Sequence, residues 1–483
     1  MRWKVTPISR WPWRHAREPI AVARSRVREQ KDRIVLTLSR TTRPAPVRMV
    51  HLGLGAFHRA HQAWWTGVVS RDDPWGIAAF TGRSPAAATL LAAQDGLFTL
   101  LVRGPECDQA ELVSSVSRAV DGADAAAFRS CVGDPEVRVL TLTVTEAGYR
   151  RRGDGGLDFA DPEVAADRLA LAAGNDVVPA RTVPGRILGG LRARRDGDAG
   201  PLAVVPCDNL IGNGGALRRV MLELADATDP RLATWIAEHV SFVSTTVDRI
   251  TPRTTASDLD TVARLTGRAD RAPVVTEPFR EWVLAGDFPG GRPAWEQAHA
   301  LLADDVEPYE RRKLWLLNGA HSHLAYAGLL RGHGTVAAAV ADETCQRWMR
   351  AWWSEVAAHL PQPAADLAAY QEQLLSRFAN PRMRYQLTQI AADGSQKLRV
   401  RVVPVLVRER GAGRRGEAGL RILASWIAYL RTGPQELSDP LAGQLRAARS
   451  VSEFLVLLDP ALAADDDVIS DLGGLVAELQ GGE

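Results

Sequence analysis

Val47-Arg48-Met49-Val50-His51-Leu52-Gly53-Leu54-Gly55-Ala56-Phe57-His58-Arg59-Ala60-His61-Gln62-Ala63-Trp64-Trp65 is the stretch on which the fold turns. Its first six residues read as a short buried strand, two spaced glycines follow, and residues 58–65 read as a helix. Strand, glycine-rich turn and helix open a dinucleotide-binding unit, because glycine permits a tight turn and lets backbone approach a pyrophosphate at the helix start. Gly53, Gly55, Ala56 and Phe57 are the cofactor-binding candidates. Taken alone, G-x-G is a weak signal. His58 stands where a third glycine is usual, so an ordinary strand-to-helix turn carries equal weight here.

Further units of the same kind follow. Residues 75–80 read as a second strand, with Arg83 and Ser84 just beyond it. Residues 97–102 and 137–144 are further strands, the latter closed by Thr145-Glu146-Ala147-Gly148-Tyr149. Residues 202–206 lead into C-D-N-L-I-G-N-G, and 241–246 into Val247-Asp248-Arg249-Ile250-Thr251-Pro252. Polar residues directly after a strand suit a ligand at the carboxyl edge of a parallel sheet. Strands alternating with helical patterns predict an α/β, Rossmann-type doubly wound domain over 46–293. After about residue 300 the pattern is mainly helical, which predicts an α-helical substrate and catalytic domain over 301–483, joined through D-F-P-G-G-R-P at 287–293.

Composition bounds the partners. The first 48 residues hold thirteen Lys or Arg and three Asp or Glu, so a net +2 for the whole chain leaves the rest near −8. A mildly acidic body carries no nucleic-acid footprint. Residues 1–32 read as a disordered basic leader without the apolar core of a secretion signal. Four scattered cysteines without C-x-x-C read as reduced thiols of a cytoplasmic protein. No apolar run reaches membrane-spanning length. His51, His58 and His61, or His321, His323 and His333, are weighed as metal ligands; neither set has a zinc-site spacing, so no metal is expected. Nothing demands an obligate interface, so a monomer or weak homodimer is expected.

Only four of the 59 basic residues are lysine: Lys4, Lys31, Lys313 and Lys397. Arg keeps its proton at ordinary pH, whereas a buried Lys can lose it, so a lone Lys in an Arg-rich body is a candidate for proton chemistry. Lys313 lies in Y-E-R-R-K-L-W-L-L-N-G-A-H-S-H at 309–323. At about 100° per residue, Glu310, Lys313, Asn318 and His321 share one helical arc of about 140°. Leucines around that arc imply burial, and buried polar groups need partners or a job.

Five ordered motifs, G-L-G-A-F-H-R-A-H-Q, T-V-T-E-A-G-Y, C-D-N-L-I-G-N-G, V-D-R-I-T-P and K-L-W-L-L-N-G-A-H-S, resemble the mannitol dehydrogenase / fructuronate reductase family of long-chain polyol dehydrogenases over roughly residues 46 to 460. The resemblance implies zinc-independent hydride transfer at a secondary alcohol with NAD, NADP being the alternative. It implies Lys313 as general acid/base, Asn318 and Asn209 as the amides that hold the substrate oxygen, and His321 as a further catalytic-site contact. Asp248 and Lys397 are implied as substrate-binding residues, Glu310 as a proton relay, and Glu146 and Arg83 as part of the cofactor site. Lys397, as a like charge opposed to Lys313, is expected to help lower the latter's pKa.

The substrate hint is Q-I-A-A-D-G-S-Q-K at 389–397. Mannitol dehydrogenases tend to carry Arg where Gln389 stands, and the run resembles fructuronate reductases. Tyr385-Gln386 departs from their His-Arg, and Ala147 from a frequent Lys. Arg401 or Arg399 is offered as the partner of a substrate carboxylate. The expectation is D-mannonate/D-fructuronate interconversion; mannitol 2-dehydrogenase or another polyol dehydrogenase is the runner-up, and a catalytically inactive nucleotide-binding sensor the reading from a different class.

Overall fold

Six short, apolar-rich runs build the central sheet: β1 (Val47–Leu52), β2 (Gly76–Phe80), β3 (Val116–Val120), β4 (Val139–Leu142), β5 (Leu202–Pro206) and β6 (Val240–Phe242). The computed structural model describes residues 36–481 apart from 71, 83, 175–178, 435 and 436, so the leader lies outside the described residues. All neighbouring strands pair in parallel, in the order β3-β2-β1-β4-β5-β6. Successive side chains of a strand point to opposite faces. Met49 accordingly packs into one core with Ile77, Val139 and Ala203, and Val50 into the other with Ala78, Leu140 and Val204. A parallel sheet covered on both faces is the doubly wound architecture that the alternating pattern predicts.

Two strands depart from expectation. Phe98–Arg103 is a strand, but it pairs with Asp108–Val113 and Val274–Thr276 in a separate three-stranded sheet. The third strand of the central sheet is instead β3, an edge strand whose V-S-R-A-V is only partly buried and so has no apolar run to betray it. The expected strand over 241–246 breaks at Val243. There β7 (Ser244–Asp248) leaves the central sheet and pairs antiparallel with β8 (Glu281–Ala285). The buried Asn213, at the head of helix α2 (Asn213–Asp226), replaces the missing strand neighbour. Its amide nitrogen donates to the carbonyls of Thr245 (3.0 Å) and Pro206 (3.3 Å), and its amide oxygen accepts the Thr245 N–H at 2.9 Å.

Residues 287–293 do not end the first core, since Trp295, Ala298 and Ala300 still pack into it. Helices follow: α3 (Glu307–Arg312), α4 (Gly319–Leu330), α5 (Glu343–Ala357), α6 (Ala364–Phe378), α7 (Leu387–Ala391) and α8 (Gly394–Arg401) among them. α4 is buried from Gly319 to Gly328, the mark of a helix enclosed by others. No helix of the described residues is long and apolar enough to cross a membrane.

Between α3 and α4 the chain is not α-helical. Lys313–Asn318 forms a π-helical turn, in which the Gly319 N–H reaches back five residues to the Leu314 carbonyl. On an α-helix Lys313 and Asn318 would lie about 140° apart. Bonding at i→i+5 widens the turn, and residues five apart come closer to alignment. The even-pitch wheel read from sequence is thereby corrected in favour of a tighter polar face.

Candidate active site

The strand order reverses between β1 and β4, the switch point at which a doubly wound sheet leaves a crevice for ligands beyond the carboxyl ends of its strands. Gly53 turns there with φ +109°, and a Cβ on it would lie 2.2 Å from the Thr143 carbonyl oxygen, so only glycine fits. The N–H groups of Gly53 and Leu54 both donate to the Phe80 carbonyl, at 2.9 and 2.8 Å, and the Thr143 hydroxyl donates to the Gly53 carbonyl at 2.8 Å. These bonds hold the turn and keep Gly55, Ala56 and Phe57 part-exposed at the crevice. The short helix α1 (Ala56–Ala60) then carries His58 inward, where it stacks on His51 at 3.3 Å. Burial holds both imidazoles far toward the neutral form. His58 thus takes the third-glycine place as a packing residue. Glu146 is exposed at the start of a short turn whose Tyr149 hydroxyl donates to Asp208 at 2.5 Å, joining two of the sequence motifs. Arg83 lies outside the described residues.

Lys313 reaches across from the π-turn to the first domain. Its ammonium donates to the Asn209 side-chain oxygen and to the Val247 carbonyl, both at 2.7 Å. Asn209 uses its oxygen on Lys313, which leaves its NH2 group for a ligand. Lys313, Asn209, Asn318, Glu310, Thr245 and Thr246 line one cleft. Glu310 accepts the Gly212 N–H at 3.0 Å, and burial raises its carboxyl pKa. Burial also lowers the pKa of Lys313, opposed by Asp248 and Glu281 and assisted by Arg377. The like charge that acts on Lys313 is therefore Arg377, where the sequence pointed to Lys397. Lys397 instead donates to the carbonyls of Ile390 (3.1 Å) and Ala392 (2.6 Å).

Asp248 is buried at the end of β7 and held by a residue that sequence reasoning missed. Arg377 of α6 grips both its oxygens, at 2.7 and 3.0 Å, and bonds Glu277 at 2.7 and 3.0 Å. Burial would raise the Asp248 pKa, but the guanidinium outweighs it and holds the carboxylate ionised. His321 on α4 is buried with its Nε2 unpartnered, against Phe378 (4.8 Å) and Tyr385 (5.5 Å). Desolvation, with Arg377 and Arg401 adding like charge, lowers its pKa to about 3, so it is neutral at ordinary pH.

The two arginines offered near the end of α8 point different ways. Arg399 is tied to the Leu457 carbonyl on the outside. Arg401 turns inward, where it donates to the Asn318 carbonyl (3.3 Å) and the Ser322 hydroxyl (3.2 Å). Burial lowers its pKa, and the phenols of Tyr326 and Tyr385 beside it keep their protons at ordinary pH. None of its described bonds goes to a carboxylate. Gln389 is exposed on α7.

The family model described as the mannitol dehydrogenase Rossmann domain matches residues 47–297, and that of the mannitol dehydrogenase C-terminal domain matches 305–465. The chain is 37% identical over 395 residues to a D-mannonate oxidoreductase of Escherichia coli, covering 79% of each chain. It is also 37% identical to a D-arabinitol 4-dehydrogenase of Ralstonia nicotianae, covering 76% of this chain and 80% of that one. Among solved structures, a Pseudomonas fluorescens mannitol 2-dehydrogenase in ternary complex with NAD and D-mannitol is 33% identical with a TM-score of 0.75, covering 91% of this chain and 92% of that one.

Proposed function

The chain belongs to the mannitol dehydrogenase family, and from that premise we propose that it interconverts D-mannonate and D-fructuronate with NAD, Lys313 acting as general acid/base. The crevice fits a dinucleotide, because the cradle at Gly53 has no room for a Cβ and stands where the strand order reverses. Gly53, Gly55, Ala56 and Phe57 would hold the cofactor, whose nicotinamide supplies the hydride acceptor or donor. The rest of the chemistry falls to the protein. Neutral Lys313 takes the hydroxyl proton during oxidation, and protonated Lys313 returns it during reduction. The NH2 groups of Asn209 and Asn318 hold the oxygen as alkoxide character develops. Glu310, beside Lys313 and near solvent, passes the proton on. Asp248, His321, Lys397 and Gln389 bind substrate hydroxyls.

The acid substrate is carried by one observation: Arg401 is a part-buried cation, desolvated enough to lower its pKa, whose described bonds reach only neutral oxygens. A buried charge without a counter-ion is costly, and a substrate carboxylate is the partner that would relieve it. A neutral polyol offers no such relief. The test is NADH oxidation with D-fructuronate, D-tagaturonate and D-fructose side by side. D-fructuronate is expected to give the highest kcat/KM. Preference for D-fructose would sink the acid reading, and NADH binding without turnover would favour a sensor. Arg401→Gln should raise KM for the keto-acid by about tenfold to a hundredfold, the worth of a charged hydrogen bond, while D-fructose reduction changes little.

A further inference from the structure

The π-turn that carries Lys313 and Asn318 is fastened from outside the cleft. A switch from i→i+4 to i→i+5 bonding leaves helix carbonyls without their usual N–H partners, and in a buried segment such carbonyls must find others. Two adjacent tryptophans of α5 supply them. The Trp352 indole N–H donates to the Trp315 carbonyl and the Trp353 indole N–H to the Leu316 carbonyl, both at 2.9 Å. Both indoles are fully buried. Gly319, the first residue after the π-turn, admits this approach, since a Cβ there would lie 2.7 Å from the Trp352 indole nitrogen.

We infer that Trp352 and Trp353 are positioning residues for the dehydrogenase reaction: their indole N–H groups stabilise the π-turn and so keep Lys313 and Asn318 facing one cleft. Neither touches substrate or cofactor. With the donors removed, the carbonyls of Trp315 and Leu316 lose their buried partners, and the segment gains by reverting toward α-helical bonding. That reversion rotates Asn318 away from Lys313 and loosens Lys313 from Asn209 and Val247, the contacts that hold it out of solvent. The inference rests on the family's chemistry and is independent of which carbonyl substrate the chain prefers.

The test uses Trp352→Phe, Trp353→Phe and the double variant of the full chain, with the carbonyl substrate that the wild-type chain turns over. Phenylalanine keeps an aromatic ring and lacks the N–H. Trp348→Phe, on the same helix and part-buried against the same core, controls for lost ring volume. kcat is expressed per titrated NADH-binding site, so unfolded chains do not count. The expected result is a kcat lower by about tenfold to a hundredfold in the double variant, with NADH affinity kept. The pH dependence of kcat should move to higher pH, because a better-solvated Lys313 regains its ordinary basicity. Faster amide hydrogen exchange over 313–319 should accompany the loss. Parent-like kcat, pH profile and exchange per binding site, or the same losses in Trp348→Phe, would overturn the inference. Gly319→Ala, which displaces the Trp352 indole from the opposite side, should reproduce the kinetic change if the phenylalanine variants yield too few binding sites. A parent-like Gly319→Ala enzyme would count against the inference equally.

Discussion

In the proposed reaction Lys313 carries the proton, and its scarcity in an Arg-rich sequence has a structural counterpart in its bonds to Asn209 and Val247. An arginine at 313 would keep the charge and the reach toward Asn209 and Val247 but could not surrender a proton. Lys313→Arg is expected to lower kcat by about a hundredfold to ten-thousandfold, the usual worth of general acid–base catalysis. NADH affinity, read by fluorescence titration, should stay near that of the parent. The pH dependence has a definite sign. Burial lowers the folded-state pKa of Lys313 below that of a free lysine. Oxidation needs the neutral amine and should rise as pH climbs through that lowered pKa. Reduction needs the ammonium and should fall over the same interval. Profiles of kcat in both directions that failed to mirror each other would place the titrating group elsewhere. Lys313, Asn318, Asn209 and Asp248 could all be picked out from sequence because each sits in a motif. Arg377 could not: one arginine on an amphipathic helix, among so many, gives no sign of the two carboxylates it will meet.

At the scale of elements, the strand-turn-helix opening was legible because a buried strand, spaced glycines and an apolar helix face are local patterns. Gly53→Ala tests that element. The added methyl group meets the Thr143 carbonyl and the backbone φ is unfavourable for alanine, so the β1–β4 crevice must deform. NADH binding is expected to be lost before the fold is, seen as no fluorescence transfer from a protein whose circular dichroism is unchanged. The π-turn was not legible. Its residues read as ordinary helix, and the donors that stabilise it lie 37 residues further along the chain. The edge strand β3 escaped for the complementary reason that half-exposed edges need no apolar run.

At the scale of the whole molecule, Arg377 joins the two family-model regions: it is carried by α6 of the C-terminal region and bonds Asp248 and Glu277 of the Rossmann region. All three side chains are nearly inaccessible to solvent. Removing one partner of a buried ion network leaves uncompensated charge, which costs about 3–5 kcal/mol. Arg377→Met is expected to lose stability of that order in chemical denaturation at neutral pH. Its loss should shrink under acid conditions, where Asp248 and Glu277 are protonated. A variant as stable as the parent would show that the network contributes orientation alone.

By itself the sequence determined the α/β and helical halves, the glycine cradle, the scarce lysine and the asparagines beside it, because those are properties of local pattern and residue chemistry. Only the tertiary structure decided the pitch of the helix under Lys313, the arginine that clamps Asp248, and which of Arg399 and Arg401 turns toward the backbone of Asn318. Each of those depends on partners distant in the chain, and a hydrogen bond or ion pair between distant segments leaves no periodicity in either of them.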